Sequence, residues 1–189
     1  MKPMQYTAKS WFGRFCSGLV LLLVLNLGLS QCQGLPQTAA DRQPVRVQQV
    51  ISGDTVEVLL LQGEAAVQQV RLIGIEAPDW RQEPWGEATQ RWLRTQLEGQ
   101  TVELESDVQE WESADRRWGY LWQGQQLVNG AIVAAGHALA SSQLPNVRYR
   151  QRLQRAQETA RLRGVGIWNP DRPLRQTPSQ FRQRQATPN

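Results

Sequence analysis

Between Val50 and Asp79 two short apolar runs, Thr55–Leu61 and Val67–Ile75, flank the turn residues Gln62-Gly63-Glu64. Runs of this length, rich in β-branched residues and bounded by Gly, Ser and Asp, read as strands, and the pair reads as a β-hairpin. The chain enters it through Ser52-Gly53-Asp54 and leaves through Glu76-Ala77-Pro78-Asp79. Pro78 restricts Ala77 to extended dihedrals and so pins the exit. Val45–Ile51 alternates and supplies a strand ahead of the hairpin. Thr101–Glu105 and Arg116–Trp122 supply two more, the last closed by Gln123-Gly124-Gln125. Three segments carry helical spacing instead. Residues 87–97 set Ala88, Trp92, Leu93 and Leu97 on one face before Glu98-Gly99. Leu127–Ala135 forms the next helix, stopped by Gly136 as a left-handed cap. Val147–Arg163 forms the third, with Tyr149, Leu153, Ala156 and Ala160 inward, Gly164 as its cap, and Ile167-Trp168 returning to the core.

Outside this region the periodicity fails. Lys2, Lys9 and Arg14 precede a charge-free apolar run, Gly18–Leu29, which is the layout of an export signal and short for a membrane span of about 20 residues. Residues 1–32 are therefore read as a leader, with an uncleaved anchor as the competing reading. Leu29-Ser30-Gln31-Cys32 resembles a bacterial lipoprotein cleavage box, so acylation of Cys32 and ordinary cleavage both stay open. The chain is expected to be exported: secreted, periplasmic or tethered to a membrane through Cys32. Residues 33–43 form a polar spacer, 44–169 one globular domain, and 170–189, rich in Pro, Gln, Arg, Ser and Thr, a disordered basic tail. The length of 189 residues fits one domain with these appendages.

Cysteine and histidine usage narrows the chemistry. Cys16 and Cys32 both lie in the leader, leaving the domain without a disulfide or thiolate zinc site. The single histidine, His137, excludes a histidine-rich metal site and is read as structural or exposed. The formal charge of +4 conceals an asymmetry. From Arg148 onward the arginines face only Glu158 and Asp171, whereas Glu103–Asp115 is acidic and, apart from Trp111, reads as a solvated loop. A basic helix and tail suit a polyanion, or anionic lipid if the chain is tethered.

The charges at the ends of the hairpin are not needed to fold it. Asp54, Glu76 and Asp79 stand beside Arg71. Carboxylates bind hard cations through oxygen, and a guanidinium grips phosphate through two parallel hydrogen bonds, a pairing that points to metal-assisted phosphodiester chemistry. Strict alternation puts Arg71 and Glu76 on opposite faces, so they share a site only if the strand bends or ends near Gly74. Trp80 and Trp85 follow in a loop; stacking on nucleobases is open to them, but packing against the core is the expectation.

Gly53-Asp54-Thr55-Val56-Glu57-Val58 followed by Arg71-Leu72-Ile73-Gly74-Ile75-Glu76-Ala77-Pro78-Asp79 resembles the staphylococcal nuclease-like (thermonuclease) family. The likeness continues through Gly86, Arg116–Trp122, Leu127-Val128-Asn129 and Gly164–Trp168, over about residues 44–169. It implies an α+β fold, a small five-stranded OB-like β-barrel with about three helices. It also implies Ca²⁺ ligation by Asp54, Glu76 and the Ala77 carbonyl, and a phosphate gripped by Arg71 and Arg116, with Arg117 in the second role if the register slips by one. Asp79 stands where the family has a glutamate that orients or deprotonates the attacking water. The implied reaction is hydrolysis of DNA or RNA phosphodiesters by a monomer, with single-stranded substrate preferred and 3′-phosphate products. Glu76 replaces the family's aspartate, Asp79 its glutamate and Ser52 another aspartate, while Ser141 and Gln143 stand where nucleotide-contacting tyrosines occur. The competing readings are a nucleic-acid-binding module that does not cleave and a structural envelope protein on the same fold.

Overall fold

The computed structural model describes residues 42–186. The leader, almost all of the spacer, and the readings attached to Cys16 and Cys32 lie outside the described residues. Strand β1 (Arg42–Val50) opens the domain two positions ahead of Pro44. It pairs antiparallel with β2 (Thr55–Leu60) on one edge, and β2 pairs with β3 (Val67–Leu72), giving the expected hairpin. The exit of the hairpin is β4 (Ile75–Glu76). The other edge of β1 pairs with β5 (Thr101–Glu105), and β5 with β6 (Arg116–Gln123). A parallel pairing of β3 with β6, from Gln69 opposite Arg116 to Leu72 opposite Gly119, joins the free edges and closes a five-stranded barrel. The fold is α+β with an OB-like barrel. Its interior is filled by the alternating residues of each strand, among them Val45, Val47, Val56, Val58, Val70, Leu72, Leu104 and Leu121.

Helix α1 (Trp85–Leu97) starts two residues before the predicted position and buries Leu93 and Leu97 against the barrel. After β7 (Gln126–Leu127) comes α2 (Val128–Ala134), followed by β8 (Leu139–Ala140), which pairs with β4. Helix α3 (Arg150–Arg163) starts three residues later than its apolar spacing predicts, because Val147–Tyr149 are spent on tertiary contacts: the Arg148 amide donates to Asp107 at 3.0 Å. Gly164 ends α3 with φ 61°, as a left-handed cap. Ile167 is buried, as the return to the core requires.

Two sequence expectations need correction. The tail from Pro170 was expected to be disordered, yet it packs beside the loop 81–85 and forms α4 (Pro178–Ala186). That helix has no apolar stripe to announce it; Pro178 is buried, and Gln82 Nε2 donates to the Gln176 carbonyl at 2.9 Å. Tertiary contacts, not periodicity, hold it. The acidic stretch is likewise more than a solvated loop. Glu105, 5% exposed, accepts from Trp122 Nε1 at 2.6 Å, Tyr149 Oη at 2.9 Å and Arg148 Nη1 at 2.5 Å, with Arg42 Nε at 3.4 Å. A carboxylate this buried is tolerated because every lone pair is met.

The link from barrel to helices runs through Asn129, fully buried at the start of α2. Its Nδ2 donates to the Ile73 carbonyl at 2.9 Å and the Gly119 carbonyl at 3.3 Å, and its Oδ1 accepts from the Leu121 amide at 3.0 Å. One side chain thus fixes the end of β3, the middle of β6 and α2 together. Immediately beyond Ile73 the strand breaks at Gly74, whose φ of 75° belongs to the left-handed region. This is the bend that the alternation of Arg71 and Glu76 demanded.

Candidate active site

The bend at Gly74 turns the end of the hairpin back toward its start. A cleft of about 570 Å³ opens there, lined by Asp54, Arg71, Ala77, Asp79, Trp80 and Arg182 among others. Gly86 makes the geometry possible from below: a Cβ at that position would lie 2.2 Å from the Asp79 carbonyl oxygen. Only a glycine lets the first turn of α1 approach the loop that carries Asp79.

Asp54 is 7% exposed and oriented from both sides. Its Oδ1 accepts from the hydroxyls of Ser52 at 2.9 Å and Thr55 at 3.1 Å, and its Oδ2 faces Arg71 Nη2 at 3.3 Å. Arg71, opposite Thr55 in the β2–β3 ladder, also has Nη1 3.8 Å from Glu112 Oε1. Its buried Nε has no acceptor. A buried guanidinium donor without a partner is costly unless an anion completes it.

Arg116 does not line the cleft, but it forms an ion pair with Glu112, so one carboxylate touches both arginines. Arg117 points elsewhere: its Nη2 donates to Ser106 Oγ at 2.9 Å and its Cζ stands 5.6 Å from the Trp111 ring. Arg116 is thus linked to Arg71 through Glu112, whereas Arg117 pairs with Glu110 instead.

Asp79 lines the cleft with both oxygens engaged by Arg81, Nε to Oδ1 at 2.9 Å and Nη2 to Oδ2 at 3.2 Å. The Arg81 hydrogen bond holds the Asp79 carboxyl below the usual carboxylate range, with Arg182 adding to the effect. Its backbone amide donates to Gln82 Oε1 at 3.0 Å. Glu76, next to Ala77 in sequence but not among the residues lining the cleft, forms an ion pair with Arg182 of α4. Trp80 is 75% exposed, contrary to the expectation that it would pack, whereas Trp85 is half-buried. Gln143 holds the bend, its Oε1 accepting from the Gly74 amide at 2.9 Å.

The site therefore gathers Asp54, Arg71, Ala77 and Asp79 directly, Glu76 through Arg182, and Arg116 through Glu112. Sequence reasoning missed Arg81, Gln82, Glu112 and Arg182. Glu112 was discoverable as a carboxylate four positions before Arg116; nothing in the sequence marks the others. Among the described residues no group of three or more His, Cys, Asp and Glu side chains could hold a metal. The donors offered, two carboxylates and the Ala77 carbonyl, are all oxygen and suit a hard cation such as Ca²⁺ completed by water. Guanidinium groups already sit on both carboxylates, Arg71 on Asp54 and Arg182 on Glu76, so a cation bound there would compete with them.

His137 lies outside this cleft, stacked at 5.6 Å on Trp92, and burial lowers its pKa. A histidine kept neutral in the folded state contributes stability that is fully present above its unfolded pKa of about 6.5 and is lost as pH falls through the lower folded value. Thermal melts between pH 7.5 and 5 should show this loss, and His137→Gln should flatten it. An unchanged profile in that variant would remove His137 as the cause.

A profile of the family described as Staphylococcal nuclease homologue matches residues 69–170, which include Arg71, Glu76, Ala77, Asp79 and Arg116 and leave out Asp54 and α4. The chain is 30% identical over 135 residues to the thermonuclease of Staphylococcus hyicus, covering 69% of this chain and 78% of that protein. It is also 30% identical over 127 residues to the thermonuclease of Staphylococcus intermedius, covering 65% and 74%.

Proposed function

Because the chain belongs to the staphylococcal nuclease homologues, we propose that it is an exported nuclease that hydrolyses phosphodiester bonds of single-stranded DNA or RNA with the help of Ca²⁺. The observation that carries the reading is the convergence of Asp54, Arg71, Ala77 and Asp79 on one cleft, with the buried Arg71 Nε lacking an acceptor. Arg71 binds a non-bridging phosphate oxygen and neutralises charge as it grows there, and Arg116 adds to this from the other side of Glu112. Asp54 and Glu76, with the Ala77 carbonyl, would hold the cation. When bound, the cation polarises the phosphoryl group and lowers the pKa of water.

Asp79 orients the attacking water. Its carboxyl, held below the ordinary range by Arg81, is ionised at neutral pH and poorly matched to storing a proton. Water adds to phosphorus, the bond to the 5′ oxygen breaks, the 3′ side keeps the phosphate, and the proton shed by the water passes through solvent to the departing 5′ oxygen. End-group analysis of digested oligonucleotides tests this step: 3′-phosphate ends are expected, and 5′-phosphate ends would oppose it.

Trp80 is placed to stack on a base next to the bound phosphate. Trp80→Ala is expected to weaken binding of a single-stranded oligonucleotide by about 1–3 kcal/mol, roughly five- to 150-fold. The loss should appear in KM and leave kcat within a few fold. A fall in kcat alone would place Trp80 in positioning the cleft instead.

The ion pairs of Asp79 with Arg81 and of Glu76 with Arg182 favour one second reading, a module that binds nucleic acid without cleaving it.

A further inference from the structure

We propose that Arg182 sets the affinity of the cleft for its cation, by occupying Glu76 with a guanidinium that a bound cation must displace. The proposal rests on the reading of Asp54 and Glu76 as cation ligands. The contact spans the chain: Arg182 reaches Glu76 across a sequence separation of 106 residues, from a helix that lies beyond the family match ending at 170. Arg182 also lines the same cleft as Asp54, Arg71 and Asp79.

The helix that delivers it is docked at the loop next to the site. Gln82 donates to the Gln176 carbonyl at 2.9 Å while its Oε1 accepts the Asp79 amide at 3.0 Å. One buried glutamine thus ties the tail to the loop carrying the water-orienting carboxylate. Arg81, which grips Asp79, also lies with Cζ 5.4 Å from the Phe181 ring, one residue before Arg182. Helix α4 is therefore held by the same two residues that fix Asp79, and its partly exposed Arg182 guanidinium is presented to Glu76.

A guanidinium never loses its charge in the accessible pH range, and a carboxylate cannot fully serve it and a divalent cation at once. Binding the cation then costs the Arg182–Glu76 pair. Release leaves the Arg182 charge inside the cleft, which Asp79 also lines, next to where a substrate phosphate would lie. The chain then needs a higher cation concentration than its ligands alone would set. The arginine displaced by the cation becomes available to the substrate.

Calcium titration of the full chain by isothermal calorimetry, without nucleic acid, tests this in wild type, Arg182→Gln, Arg182→Lys and Arg184→Gln. Arg182→Gln is expected to bind calcium about three- to tenfold more tightly, the scale of one partly exposed ion pair. Arg182→Lys should fall between it and wild type, and Arg184→Gln should match wild type. Saturating calcium should also speed hydrogen exchange of the wild-type amides in 178–186. Equal affinity in wild type and Arg182→Gln, or weaker binding in the variant, would overturn the proposal while leaving the cation site in place. Absence of calcium binding in every variant would overturn both this proposal and the cation reading beneath it.

Discussion

Arg71→Ala is expected to lower kcat/KM for cleavage of denatured DNA by about 10³-fold or more, with the melting temperature close to that of wild type. The magnitude follows from what the side chain does at a reacting phosphate. One preorganised donor at a developing anion is worth about 10²–10³ in rate, and a guanidinium that neutralises phosphoryl charge up to about 10³–10⁵. Arg71 is held from several directions, by Asp54 Oδ2 at 3.3 Å and Glu112 at 3.8 Å, with Trp118 at 5.8 Å from its Cζ. Its position is fixed before substrate arrives, so no reorganisation is needed during the reaction. Stability should change little. Asp54 keeps its bonds to Ser52 and Thr55, and a partly exposed ion pair contributes about 1 kcal/mol or less. Parallel kinetics and thermal melts separate the two effects: a large fall in melting temperature would assign Arg71 to the fold, and an intact rate would remove it from the site.

Asn129→Ala is expected to cost about 2–5 kcal/mol of folding stability. Truncation strips the Leu121 amide of its acceptor and the Ile73 carbonyl of the amide it receives. Each buried backbone group left unpaired costs about 1–3 kcal/mol. The Gly119 carbonyl is spared, since it still accepts from the Ile73 amide at 2.9 Å. The same change loosens the approach to Gly74 and hence the relation of Arg71 to Glu76, so residual folded protein should also cleave more slowly. Urea denaturation gives the stability term directly. A loss below about 1 kcal/mol would mean that water or a backbone shift satisfies both groups.

The barrel strands were legible because their residues alternate and their turns are marked by Gly and Pro. Gly74 was legible as a bend because Arg71 and Glu76 would otherwise face opposite ways. Asp54, Arg71, Glu76 and Asp79 stood out because their charges sit at the two ends of one hairpin, and Asp54, Arg71 and Asp79 do line one cleft; Ala77 was indicated only by the family resemblance. What stayed hidden depends on partners distant in sequence. Glu105 is buried by Tyr149, 44 residues away, and no local pattern distinguishes it from the acidic residues around it. Helix α4 is polar on all sides, so periodicity carries no signal for it; it is ordered by Gln82 and by the Arg182 ion pair with Glu76. Trp80 shows the converse error: a large aromatic was expected inside, and the bend places it at the mouth of the cleft.

The central claim is that this cleft cleaves phosphodiesters and needs a hard cation to do so. The most direct measurement is the rate at which the purified full chain degrades single-stranded DNA and RNA with calcium and with a chelator. Cleavage that requires calcium, stops on chelation and returns when calcium is restored is the predicted result. Tight binding of either nucleic acid with no cleavage at any calcium concentration would contradict the claim and leave a binding module built on the same barrel.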